Sequence, residues 1–353
     1  MQKLTKKTEK IKREPLIHIA KRDNLSFGKK AVIYAISLIS GLLLSSIVCS
    51  VFSEVGTVTD FFRAVFKGAF GTPRKIWDLF RSTALLLGVS LALVPAFKMK
   101  FWNLGGKLPD NVVIVFMIIS SIAAGAIWAV IPAIFKALFN TNESLFTLMM
   151  NYIAQGIVMV CVNAWVKGGS GIITPIKYAN IPNLVNEYLL IIIVFAVLCL
   201  FMFAYLKYSK HGYEIAVVGE SQNTAKYIGI NVKKVIIRTL LLSGAICGIV
   251  GLFISGAMSH SVNTSSANNM GFTGIMTAWL ANFNPLMIAL SSLFISFISK
   301  GMVQVRKDFA FTNDSIANLV IGLVYFCVIA CYFFITYKIV FRKRNSAEKE
   351  DKK

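Results

Sequence analysis

The chain has 353 residues, 56% of them hydrophobic and only 15% charged, with a formal net charge of +21. The apolar residues come in long blocks, which excludes a single soluble core. Lys and Arg concentrate in an N-terminal arm, a loop near 207–238 and the C-terminal tail, as expected for charge facing an anionic inner leaflet; no basic run is interleaved with stacking aromatics, which excludes nucleic acid as a partner.

In chain order, residues 1–30 read as a basic cytoplasmic arm, with ten Lys or Arg before Ala31. The arm is too polar for a cleavable signal peptide, so the apolar stretch 31–53 is expected to stay as the first transmembrane helix. Further blocks, free or nearly free of charge, run over roughly 82–97, 111–135, 144–164, 188–206, 239–259, 270–299 and 315–337. Most approach the ~20 residues that span hydrocarbon as helix. The expected fold is all-α, a polytopic transmembrane bundle of about eight or nine spans with broken or re-entrant helices. Its permease domain covers 31–341, and a charged tail, 342–353, follows.

The positive-inside rule puts both termini in the cytoplasm, the N-terminus by its arm and the C-terminus by Lys338, Arg342, Lys343 and Arg344. The loop with Lys207, Lys210, Lys226, Lys233, Lys234 and Arg238 also belongs inside, and the charge-poor stretches 163–186 and 259–270 outside. From Asn163 onward the alternation holds if 271–299 crosses twice, which leaves Lys300, Arg306 and Lys307 outside at a mild cost. Before Asn163 the count fails. With 31–53 going out, 78–97 returning, 111–135 going out and 144–163 returning, the next segment would be inside, so one crossing is missing near 98–110.

Two stretches interrupt the apolar pattern. The first contains Trp102 and Asn103, and the second runs from Gly271 through Trp279 to Asn282, Asn284 and Pro285. One break in each half is what alternating-access bundles place near their pathway, although an ordinary helix followed by a polar turn explains the second equally well. Trp102 beside Asn103 could stack on and hydrogen-bond a nucleobase or sugar, or Trp102 could anchor at the membrane interface. Asn151, inside an apolar helix, could bond a neighbouring helix or the substrate. Phe272, Thr273, Trp279 and Asn282 would line the second half of a pathway suited to a neutral, ring-bearing solute. Gly244 and Gly248, continued by Gly251, form a small-residue stripe for close helix packing.

No Asp or Glu lies in an apolar core, where ion-coupled transporters commonly carry one, and no GxxxxGK[ST] sequence occurs to cradle nucleotide phosphates. Active transport would therefore draw on a partner. The six cysteines lie in or near apolar spans with no CxxC pair and no neighbouring His, which gives no metal site. No His, Cys or carboxylate cluster with catalytic spacing lies in the spans, so a membrane-embedded enzyme is disfavoured. In the loop after Lys207, Ser221 can cap a short helix through Thr224, Ala225 and Tyr227, with Gly229 placed to end it. Such a helix suits a groove of another subunit, or serves as a solvated connector.

Gly212-Tyr-Glu-Ile215 followed by Val218-Gly-Glu-Ser-Gln-Asn-Thr-Ala-Lys-Tyr-Ile-Gly-Ile-Asn-Val232 resembles the coupling loop of the ABC permeases that import nucleosides, simple sugars and branched-chain amino acids. Thr147-Leu-Met-Met-Asn-Tyr-Ile-Ala154, preceded by Asn142 and Glu143, is similar to the nucleoside-type members, as is Gly271-Phe-Thr-Gly-Ile275 with Asn284 and Pro285. The resemblance spans roughly 31–340. It implies a permease of a bacterial cytoplasmic membrane that works by alternating access and binds no cofactor itself. ATP would be hydrolysed by a separate ATP-binding subunit, with a second permease subunit and an extracytoplasmic substrate-binding lipoprotein completing the importer. The coupling helix would comprise Gly219, Glu220, Ser221, Asn223, Ala225 and Tyr227.

One departure stands out. Members of the family follow Phe-Trp-Asn-Ile/Leu-Gly with a Glu-Gly-Gln segment that opens another helix, whereas Phe101-Trp-Asn-Leu-Gly-Gly106 runs directly into Lys107-Leu-Pro-Asp110. The absent helix coincides with the crossing missing from the topology. A nucleoside importer subunit is the reading; a simple-sugar permease, a passive channel and a non-transporting degenerate subunit are the alternatives.

Overall fold

The structure is a computed structural model that describes residues 17–21, 27–53, 56–93, 110–166, 188–259, 270–311 and 315–341. Twelve helices dominate the described residues: α1 Phe27–Phe52, α2 Val58–Phe70, α3 Pro73–Leu93, α4 Asp110–Phe139, α5 Glu143–Trp165, α6 Leu189–Tyr208, α7 Lys210–Glu220, α8 Gln222–Tyr227, α9 Val232–Leu252, α10 Met270–Leu280, α11 Pro285–Asp308 and α12 Ser315–Thr336. A π-helical segment, Phe253–Ser259, extends α9. Two short strands, β1 Ile17–Lys21 and β2 Tyr337–Phe341, form an antiparallel ribbon. The chain is thus a polytopic helical membrane bundle. Among the described residues α1, α4, α5, α6, α9 and α11 are long and apolar enough to cross a bilayer, and α12 adds 22 residues without a charge.

The chain divides into two compact units, Met1–Phe52 with Asn318–Lys353, and Ser53–Ala317. In the first, α1 packs on α12: the Ser37 hydroxyl donates to the Cys327 carbonyl at 2.6 Å, and a Cβ on Gly41 would stand 3.3 Å from the Val324 backbone. The ribbon at the ends of these two helices sets Ile17 opposite Phe341 and Lys21 opposite Tyr337. Its pairing joins the basic arm to the segment after the last span, which hydropathy alone does not foreshadow.

The second unit carries the interrupted helices. Its centre is built from α3, α6, α9, α10 and α11, whose apolar faces meet in two layers. Ala84, Leu85, Ile191, Phe195, Val250, Phe253 and Ile254 form one, and Leu87, Leu91, Ala92, Cys199, Met202, Ile246, Ala278, Ala281 and Ile288 the other. The pairings set the sense of each helix. Arg81 lies over the Tyr188 ring at the start of α6, and Leu91 and Ala92 reach Cys199 and Met202 further along it, so α3 runs parallel to α6. Helix α4 runs antiparallel to α9, with Ser121 donating to the Gly248 carbonyl at 2.5 Å and Ala129 lying against Gly244. Because α6 and α9 flank a single connection and run in opposite senses, α4 shares the sense of α3.

This bears directly on the crossing count. Helices α3 and α4 share one sense, and the residues that join them, 94–109, lie outside the described residues. The assumption that 111–135 reverses the direction of 78–97 is corrected by the packing. Helix α5 follows α4 through the turn at 140–142, where Phe135 stacks on Phe146.

Candidate functional site: a broken helix pair and a capped loop

Helix α10 has 11 residues, about 16 Å of rise against the ~30 Å of hydrocarbon, so it reaches about halfway across. The double crossing expected over 271–299 is therefore corrected: a half-length helix meets α11, of 24 residues, at a turn inside the bundle. The turn between them is a helix-closing motif. Asn282 N–H donates to the Trp279 carbonyl and Phe283 N–H to the Ala278 carbonyl, both at 3.0 Å, with Asn282 and Phe283 in the left-handed region at φ 48° and 59°. Asn tolerates that conformation; Phe at φ 59° is strained. Asn284 then caps α11, its side chain accepting from Leu286 N–H at 3.1 Å, and Pro285 takes the first helical turn, where its missing N–H costs nothing.

The depth of this turn follows from its neighbours. The Cys199 thiol, near the middle of α6, contacts the Pro285 carbonyl at 3.3 Å. Ser243, near the middle of α9, donates to the carbonyl of Ala92 in the last turn of α3. The break in α10 and α11 and the end of α3 thus meet at the mid-level of the bundle, where transporters with interrupted helices hold their substrates.

Of the expected pathway residues, Phe272 and Trp279 lie seven residues apart on one face of α10 and are 49% and 57% exposed. Thr273 is partly buried, and its carbonyl accepts from the Thr277 hydroxyl at 2.7 Å. Asn282 is exposed beside Trp279 in the closing turn. Asn151 is partly buried on α5, a helix that packs on α4 through the stacked pair Phe135 and Phe146, so it is not brought to α10. Trp102 and Asn103 lie outside the described residues.

The loop end of the second unit carries α7 and α8. The Ser209 hydroxyl caps α7, accepting from Gly212 N–H at 2.9 Å, and Ser221 caps α8 through Thr224 N–H at 3.3 Å. Gly229, at φ 82°, closes α8 with hydrogen bonds from Gly229 N–H to the Lys226 carbonyl and from Ile230 N–H to the Ala225 carbonyl. The short helix that Ser221 was expected to cap and Gly229 to end is α8, whereas the coupling stretch implied over 219–227 is not one helix: Gly219 and Glu220 finish α7, and Ser221 separates it from α8. Ala225 is buried; Glu220 and Asn223 are exposed, and Tyr227 is 92% exposed.

Sequence reasoning missed two charge clusters. Asp78 binds both Arg81 and Lys300, with Lys75 donating to Gln304 at 2.9 Å one turn away, so Lys300 on α11 has a carboxylate partner across 222 positions. At the loop end, Arg238 on α9 donates to Glu214 on α7 at 2.8 Å. That hydrogen bond, helped by the charges of Arg238, Lys210 and His211, holds the Glu214 carboxyl below the usual carboxylate range. Sequence places Glu214 and Arg238 in one loop but gives no distance between them.

Residues 74–329 match the family described as the permease component of the branched-chain amino acid transport system. The chain is 24% identical to the guanosine ABC transporter permease protein NupP of Bacillus subtilis, over 84% of this chain and 92% of that protein. It is 24% identical to the nucleoside ABC transporter permease protein NupB of Lactococcus lactis, over 88% and 92% respectively. A glucose ABC transporter permease, TsgB13 of Haloferax volcanii, is also 24% identical, over 66% of this chain and 65% of that protein. No solved structure matches. With its interrupted helices, its capped loop and a family match over most of its length, the chain belongs to the branched-chain amino acid transport permease family of ABC transporters.

Proposed function

We propose that this chain is the membrane-spanning subunit of an ATP-driven importer of nucleosides. The observation that carries this reading is the mid-level break between α10 and α11, where Trp279 and Asn282 are both exposed and are joined by a backbone hydrogen bond. An indole face and a neutral amide suit a planar, uncharged, hydrogen-bonding ring, and a discontinuous helix at that depth suits alternating access. The two nucleoside permeases among the relatives, aligned over most of both chains, support the same substrate class.

In this reading the α7–α8 end faces the cytoplasm with both termini, as the positive-inside rule directs. Helix α8 presents Tyr227 to the ATP-binding subunit, and the opposite end receives substrate from a binding lipoprotein. A second permease subunit completes the membrane part. The glucose permease among the relatives favours a simple sugar as the second reading. Competition decides between them. Labelled guanosine or uridine uptake into vesicles holding the assembled complex should be suppressed by unlabelled nucleosides and untouched by excess glucose or ribose; suppression by the sugar alone would replace the substrate class.

A further inference from the structure

We propose that the ion pair between Glu214 and Arg238 is the link through which movement of the α7–α8 loop reaches the middle of the bundle, with Glu214 and Arg238 acting as positioning residues for transport. The inference rests on the reading of this loop as the site that a partner ATPase moves.

Three observations carry it. The first is the restraint of α7 at both sides. Its start is fixed to α6 by the Ser209 cap and by a bend so tight that a Cβ on Gly212 would run into the Leu206 carbonyl. Its middle is fixed to α9 by the Glu214 carboxylate, whose side chain is 17% exposed against 26% for Arg238. The second is the commitment of Arg238: its Nε is buried without a hydrogen-bond partner, so Glu214 receives the hydrogen bond that anchors this guanidinium. Water competes less with a half-buried charge-assisted bond than with the exposed side chains of Glu220 and Lys226 on the same loop.

The third observation is what α9 holds. Little more than one turn beyond Arg238, Ser243 donates to the Ala92 carbonyl at the end of α3, and Gly244 and Gly248 lie backbone to backbone against Gly125 and Ser121 of α4. That contact leaves no room for α9 to slide past α4. A displacement delivered to Arg238 is therefore shared by α9, α4 and the last turn of α3, at the level where Pro285 meets Cys199. Two alternative arrangements of packed helices, not a continuous deformation, are what such a contact allows.

The test compares the assembled complex in vesicles, supplied with ATP, the binding lipoprotein and guanosine or uridine, with Glu214→Gln, Arg238→Lys and the charge-exchanged double variant Glu214→Arg/Arg238→Glu. The readout is ATP hydrolysed per nucleoside imported. Glu214→Gln should raise that ratio about 5-fold or more, Arg238→Lys should raise it less, and the exchanged pair should bring it back toward the wild-type value. The lipoprotein concentration for half-maximal ATPase stimulation should stay unchanged in all three. An unaltered ratio in Glu214→Gln overturns the inference, as does an exchanged pair that restores assembly without restoring the ratio. Wild-type complex that hydrolyses ATP without importing any nucleoside would overturn the functional reading instead.

Discussion

Gly125 on α4 and Gly244 on α9 face each other backbone to backbone: a Cβ on either would collide with the carbonyl oxygen of the other. Gly248, next along the stripe, is as tightly placed against the Ser121 carbonyl, whereas Gly251 has open space around it. Gly125→Ala or Gly244→Ala should therefore destabilise the bundle by about 1–3 kcal/mol, the usual penalty for overfilling a packed contact. Gly251→Ala should be neutral or slightly stabilising, because Ala is the better helix former. Thermal unfolding of the purified protein in detergent measures the difference, and equal effects at Gly244 and Gly251 would contradict the packing.

The turn at 281–284 predicts opposite responses from adjacent residues. Asn282→Gly keeps the left-handed backbone and removes the amide, so it should leave assembly intact and weaken nucleoside uptake. Phe283→Gly relieves a strained φ of 59° and should preserve uptake while adding stability on the order of 1 kcal/mol. Trp279→Ala should behave as Asn282→Gly does. Uptake kinetics at several substrate concentrations, with complex assembly measured in parallel, check all three.

At the loop end, Ser221→Ala removes the cap of α8 and should cost about 1 kcal/mol locally. The effect should appear as faster amide exchange over 222–227 with little change in global unfolding. Tyr227→Ala, at a side chain that is 92% exposed, should leave folding alone and lower the ATPase activity recovered with the complex. Normal ATPase recruitment by Tyr227→Ala would remove α8 from the partner surface.

The Glu214 and Arg238 pair also predicts a dependence on pH. The folded state holds the Glu214 carboxyl below its unfolded value, so the pair contributes fully above the ordinary carboxylate range and is lost as pH falls through the depressed value. Acidification from pH 7 to pH 5 should leave the loop ordered, and order should fail only below the ordinary carboxylate range. Amide exchange over 210–220 as a function of pH tests this, and Glu214→Gln should abolish the acid transition.

Much of this arrangement was legible in the residues. Long apolar blocks gave the spans, and the order Asn282, Asn284, Pro285 gave the break, because polar cap residues and a proline inside an apolar run stop one helix and start the next. Ser221 and Gly229 marked α8 for the same reason. What was not legible depends on distance in space. Lys300 reads as a charge on the wrong side of the membrane until Asp78 is seen against it, and Arg238 reads as one more loop cation until Glu214 meets it. Helix α2, with Phe61, Ala64, Val65 and Gly68 buried on one face, was hidden by Arg63 and Lys67 on the other. Its Gly68 lies so close to α11 that a Cβ there would stand 2.8 Å from Gly301 Cα. The direction of α4 could not be counted from charges, because Asp110 and Lys136 at its ends favour neither side; the contacts of Ser121 with Gly248 and of Ala129 with Gly244 fix it.

The most direct test of the central claim is ATP hydrolysis by the purified complex in vesicles, measured with its binding lipoprotein and a panel of nucleosides and sugars, alongside uptake of the same solutes. The account predicts that nucleosides stimulate hydrolysis and accumulate inside, while sugars do neither. An assembled complex that hydrolyses ATP at one rate across the whole panel, with no uptake, would contradict it and favour a subunit that no longer transports.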